Sequence, residues 1–196
     1  MKHLVLFVMS VFLLVLFCGG EGLHASSGAA QAEAVATADE TKAATPQLFK
    51  PGAFEDPKVC STCHRDIYNE WSKSMHAYAW EDKWYQPDFL LAHQQTDGAT
   101  DVLCGACHAP IAARTGLLPP ADGSKFDAAS LRGISCDFCH TVSGVSHMYN
   151  MGHVSAPGNV KIGPRGDGKS LYHEVKNTKI HTQADFCGSC HMVIHP

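Results

Sequence analysis

Cys60-Ser61-Thr62-Cys63-His64 is the first of four copies of one short pattern. The others are Cys104-Gly105-Ala106-Cys107-His108, Cys136-Asp137-Phe138-Cys139-His140 and Cys187-Gly188-Ser189-Cys190-His191. Two residues between the thiols place both sulfurs along one edge of a porphyrin, where each can bond a vinyl group. The adjacent histidine then turns beneath the ring and offers an imidazole nitrogen to the iron. The pattern predicts four covalently bound haem c groups. Their thioether positions are Cys60, Cys63, Cys104, Cys107, Cys136, Cys139, Cys187 and Cys190, and their proximal iron ligands are His64, His108, His140 and His191.

Paired C-x-x-C segments also build zinc sites, and even cysteine counts build disulfide frameworks. Neither accounts for a histidine directly after all four pairs. Eight of the nine cysteines fall in the four segments, and the ninth, Cys18, sits in the leader, so no thiol is left over. A chain of 196 residues has room for one modest domain and a tail. Its formal net charge of −4 is mild, and no basic stripe suggests nucleic acid.

The N-terminus reads as a targeting segment. Lys2 and His3 precede an apolar run from Leu4 to Phe17, interrupted only by Ser10, that is too short to span a bilayer comfortably and suits a secretory signal. Cleavage near Ala25 gives a signal peptide over residues 1–25; a lipoprotein signal ending before Cys18 is the other exit. Either way the remainder lies outside the cytoplasm, in the periplasm or at the cell surface. Covalent haem attachment takes place there, so export and motif agree. Residues 26–48, rich in Ala, Ser, Thr and Glu, lack the apolar surface to offset their ordering entropy and read as a flexible tether. The tetrahaem domain is expected over residues 49–196.

Thirteen histidines, less the four proximal ones and His3 and His24, leave His76, His93, His147, His153, His173, His181 and His195. The candidate distal ligands are His76, His173, His181, His153 and His147. Met75, Met148, Met151 and Met192 are the alternative donors, and a methionine would raise the potential of its haem. The surplus of histidines argues for two imidazoles at every iron. Ile67, Trp71, Met75 and Tyr78 recur at helical spacing, which predicts a helix over Arg65–Tyr85 carrying His76. His173 and His181 are two helical turns apart if helical. Pro157 to Gly168 reads as loop. Within it, Gly163-Pro164-Arg165-Gly166-Asp167-Gly168-Lys169-Ser170 satisfies the phosphate-loop pattern, but its flanks are short and polar and offer neither the buried strand nor the helix that pattern needs. A solvated turn is expected.

Roughly 45 residues per haem cannot build a conventional layered core. The expected fold is mostly α with extensive irregular loops, organised around stacked haems, with little or no sheet. Folding should be coupled to haem attachment, leaving the haem-free chain largely disordered.

The first segment with Ile67-Tyr68, Trp71, Ser74 and His76-Ala77 resembles the opening of a multihaem cytochrome family that contains the tetrahaem electron acceptor of hydroxylamine oxidoreductase. Cys107-His108-Ala109-Pro110, Gly133-Ile134-Ser135-Cys136 through Thr141, and Phe186 through His191 are similar to that family's later motifs. The resemblance spans about residues 57–196. It implies that His76 is an axial ligand, that haems pack in stacked pairs, and that the protein is an electron conduit; some relatives work at the surface of metal-reducing bacteria. The chain stops five residues after His191, where relatives often continue with more haems.

Two functional expectations follow. One is relay of electrons between redox-partner proteins or to an extracellular acceptor. The other is a small oxidoreductase acting on nitrite, hydroxylamine or a similar substrate at one five-coordinate haem. A filament in which His195 or His93 completes a haem of a second copy is a third, and membrane contact is expected only through a lipid at Cys18.

Overall fold

Asp56 starts the first helix of the described chain. Its carboxylate accepts the Lys58 N–H at 2.9 Å, and Pro57, whose missing N–H costs nothing at a first helical position, opens α1 (Pro57–Cys60). The computed structural model describes residues 48–194. The leader over 1–25, Cys18, the tether up to residue 47 and His195 lie outside the described residues.

Short helices follow: α2 (Arg65–Trp71), α3 (Met75–Tyr78), α4 (Tyr85–Thr96), α5 (Asp101–His108), α6 (Pro110–Thr115), α7 (Cys136–His140) and α8 (Ala184–His191). Three of them, α5, α7 and α8, end on the histidine of an attachment segment. The fourth segment's counterpart at the front of the chain is split, with Cys60 closing α1 and His64 preceding α2.

The helix expected over Arg65–Tyr85 is broken. Ser72 to Ser74 turn out of it, and the Ser74 hydroxyl accepts the Ala77 N–H at 3.4 Å to begin α3 afresh. A serine competes with helix continuation by capping the next one, which is what redirects His76.

Among the described residues sheet is confined to two short pairs, in line with the loop-rich reading. β1 (Val142–Val145) runs antiparallel to β2 (His153–Ser155), with a register shift between Val142 and Gly144. β3 (Val160–Gly163) runs parallel to β4 (Glu174–Asn177). The stretch expected to be loop from Pro157 to Gly168 thus contains a strand, because Val160 and Ile162 are β-branched and Ile162 is buried. His173 and His181 are likewise not on one helix: His173 precedes β4, and His181 lies in a 3₁₀ turn (Ile180–Thr182) after it.

Two apolar clusters share α6 between them. Ala109 and Ala112 pack with Trp80, Phe89, Leu118 and Ala121, while Ile111 packs with Phe54, Ala129 and Phe138. The successive residues face opposite sides, as a helix rotation of roughly 100° per residue demands, so every residue of α6 is buried. These clusters are small. Val59, Ile67, Met75, Leu103, Met192, Val193 and Ile194, each within a few residues of an attachment segment or a candidate ligand, stand exposed. Among the described residues no helix is long and apolar enough to cross a membrane.

Candidate haem sites

A first-row metal sits about 2 Å from an imidazole nitrogen, so two rings on either side of one ion have centroids roughly 6 Å apart. Three proximal histidines face a candidate distal histidine at about that separation. The rings of His64 and His173 are 6.4 Å apart, those of His76 and His191 are 6.2 Å apart, and those of His140 and His181 are 5.5 Å apart. Each pair joins a histidine that follows a cysteine pair to one from a remote part of the chain.

Backbone carbonyls orient these rings, the usual outer support of a metal-ligating histidine. The Nδ1 of His140 lies 2.8 Å from the Ile162 carbonyl oxygen, and that of His108 lies 3.0 Å from Ala79 O. With Nδ1–H donated, the opposite nitrogen of each ring is left for an iron. In His181 the roles reverse. Its Nε2–H donates to Cys139 O at 2.9 Å, and its Nδ1 is buried with no partner. A buried nitrogen lone pair without a donor calls for a ligand, and it belongs to the ring that faces His140.

The cysteines pair across segments as well. The Cys60 and Cys136 thiols are in hydrogen-bond contact, which draws Cys60 down to about 7 and pushes Cys136 up. Cys107 and Cys190 form a second such contact, with Cys107 lowered and Cys190 raised. Cys139 is pushed up to about 12 by burial, with the Cys187 sulfur adding to the rise. The first attachment segment therefore lies against the third, and the second against the fourth. Among the described residues none of the eight cysteines is in a disulfide, and no three or more His, Cys, Asp or Glu side chains converge as a metal cage.

The residues fit haem on three counts: facing imidazoles at the right separation, an orphaned buried nitrogen on one of them, and exposed apolar side chains gathered around the attachment segments.

His108 differs. The ring against it is that of Tyr85, stacked at 3.8 Å and inclined by 4°. Burial, with the Cys104 and Cys107 sulfurs and Asp101 beside it, pushes the Tyr85 hydroxyl upward, so it stays protonated. The expected second imidazole is not among the ring pairs His108 makes within the described residues.

The remaining candidates are placed elsewhere. His153 is buried between Phe138 and Phe186; its Nε2 lies 2.7 Å from Phe186 O and its Nδ1 3.3 Å from the Met151 sulfur. His147 packs on Tyr149 and its Nδ1 lies 2.9 Å from Ser146 Oγ. His93 Nδ1 lies 2.8 Å from Asp101. Met148 fills the space over Gly188 in the fourth segment. The phosphate-loop look-alike is solvent-facing over residues 165–170.

Some residues that shape these sites carry no sequence signal. Asp137, inside the third segment, is buried and accepts from Lys161 Nζ and from the Glu55 N–H, the latter at 2.8 Å. Arg114 is buried on α6. Their roles come from what faces them, and periodicity does not report that.

The family described as Cytochrome c554 and c-prime matches residues 59–141. The chain is similar in fold to a penta-heme cytochrome c552 from Thermochromatium tepidum, at 24% identity and a TM-score of 0.53, over 72% of this chain and 46% of that one. The chain thus spans under half the length of that solved relative. No curated protein matches. Motifs, fold and family match point the same way: over these residues the chain is similar to multihaem c-type cytochromes, and its described part holds little sheet.

Proposed function

We propose that the chain is an exported tetrahaem c-type cytochrome that relays electrons between periplasmic or cell-surface redox partners. The observation that carries it is the set of three facing imidazole pairs, each built from one attachment-segment histidine and one from elsewhere in the chain. Bound haem would supply one-electron chemistry at iron. The chain's own part is to hold eight thioether sulfurs, present ring nitrogens on both sides of three irons, and fix those rings through carbonyls such as Ile162 O and Ala79 O. A centre with both axial positions filled changes oxidation state with little rearrangement and leaves no position for a substrate. The contacts of Cys60 with Cys136 and of Cys107 with Cys190 support two closely packed haem pairs, the short separations that a relay needs.

A second reading draws on His108. With Tyr85 rather than an imidazole stacked on it, its haem is the one at which a small oxidoreductase would bind nitrite, hydroxylamine or a similar ligand.

Electron paramagnetic resonance of the purified holoprotein, with a pyridine haemochrome count, separates the two. Four haems per chain, at least three low-spin signals and indifference to nitrite and hydroxylamine are expected for the relay. A high-spin signal that shifts when either substrate is added, with turnover, would move the assignment to the enzyme.

A further inference from the structure

A ring that shared a metal with His108 would have its centroid roughly 6 Å away. Tyr85 stands at 3.8 Å and is inclined by 4°, a face-to-face contact with no room for an ion between. The phenol ring therefore lies beside the imidazole and not across an iron from it. The three facing pairs, at 5.5, 6.2 and 6.4 Å, have the other geometry. Among the described residues no other attachment-segment histidine has a Phe, Tyr or Trp ring against it.

Two contacts restrain the His108 ring. Its Nδ1–H donates to the Ala79 carbonyl at 3.0 Å, which fixes where that edge points, and the Tyr85 face fixes the plane. Turning the ring about the nitrogen left for an iron would break the first contact and drive an edge into the second. The clamp is itself anchored. Asp82 Oδ1 accepts the Tyr85 N–H at 2.9 Å where α4 begins. Phe89 stacks on Tyr85 at 5.5 Å, and Trp80 meets it near edge-on at 6.0 Å. Both belong to the buried cluster that Tyr85 packs against, and Ala79 directly precedes Trp80. The enclosed Tyr85 hydroxyl has no hydrogen-bond partner, so what the residue offers His108 is its flat face.

We infer that Tyr85 is a positioning residue that locks the plane of the His108 imidazole. This rests on the haem reading proposed above. A ligand whose rotamer is held by packing and by a carbonyl keeps its geometry without help from the metal. A ring fixed in this way holds one orientation over the porphyrin in both oxidation states, so electron transfer brings little rearrangement on that side.

The test is proton nuclear magnetic resonance of the ferric holoprotein, with cyanide added to fill any open axial position. Haem methyl resonances are assigned to segments through their thioether contacts, and the spread of their shifts follows the orientation of the axial imidazole plane. Tyr85→Phe keeps the face and drops only the unpartnered hydroxyl, so the second-segment spread should stay at its wild-type value. Tyr85→Leu removes the face, and a ring free to turn averages its orientation. The second-segment methyls should then shift toward one another while the other three segments hold still. Unchanged second-segment shifts in a haem-loaded Tyr85→Leu protein overturn the inference and leave the haem reading standing. Equal movement at all four segments, or Tyr85→Phe moving as far as Tyr85→Leu, overturns it as well. A wild-type chain without haem on Cys104 and Cys107 overturns both readings. If Tyr85→Leu does not take up haem, the wild-type holoprotein decides: a nuclear Overhauser contact between the Tyr85 and His108 rings supports the inference, and its absence overturns it.

Discussion

His153 is held neutral by burial, which pushes it down to about 4, while the Phe186 carbonyl takes its Nε2–H. In the unfolded chain a histidine titrates near 6.5. The folded value is the lower one, so this residue's contribution is fully present above about 6.5 and is lost as pH falls toward about 4. At one pKa unit per roughly 1.4 kcal/mol, the loss is at most about 3 kcal/mol. Urea unfolding of the holoprotein at pH 7 and at pH 4.5 should show that decline, and His153→Gln should flatten it. At this scale the sequence was legible where the cofactor dictates spacing, as in Cys136-Asp137-Phe138-Cys139-His140. His76, His173 and His181 were legible as candidates because few roles call for so many histidines. His153 looked identical to them in composition; what distinguishes it is that Phe186 O and the Met151 sulfur already face its two nitrogens. A ring's partners are set by tertiary packing and leave no trace in the linear chain.

Between elements, two joints hold the ligands in place. Asp137 on α7 binds Lys161 on β3 and the backbone of Glu55 ahead of α1, so one carboxylate ties three segments. Asp137→Asn leaves the Lys161 ammonium without its partner, and a loss of about 3 kcal/mol is expected in urea unfolding. The second joint is Gly133, whose φ of +55° favours glycine and whose added Cβ would meet the carbonyl oxygens of His76 and Ala77. The neighbouring Ile134 N–H binds that same His76 oxygen at 2.9 Å, so the turn fixes where α3 begins. Gly133→Ala should displace His76 from His191 and convert one low-spin signal to high-spin in electron paramagnetic resonance. Element boundaries were less readable than residues. The apolar spacing of Ile67, Trp71, Met75 and Tyr78 suggested one helix, yet the Ser74 cap outweighed periodicity. Val160 and Ile162 paired with β4 in a stretch whose glycines and prolines pointed to loop.

For the whole molecule, two clusters centred on α6 are the main apolar core of the described residues, while side chains such as Ile67, 63% exposed, and Met75, 66% exposed, wait at the surface. That balance does not support a stable fold without the porphyrins. A chain expressed without haem attachment should show little helix by far-ultraviolet circular dichroism, with helix returning only in the attached form. The mostly helical, loop-rich architecture was legible because haem count and chain length leave room for little else. The pairing of segments was not, since it depends on which thiols meet. The facing pairs also impose an order of events. His64 meets His173, His76 meets His191 and His140 meets His181, across 109, 115 and 41 residues of chain. As the polypeptide grows from its N-terminus, the first three attachment segments emerge before any of these partnerships can close. On the proposed ligation, the haems of the first and third segments would wait half-ligated until His173 and His181 arrive, so a product cut short before them would strand both.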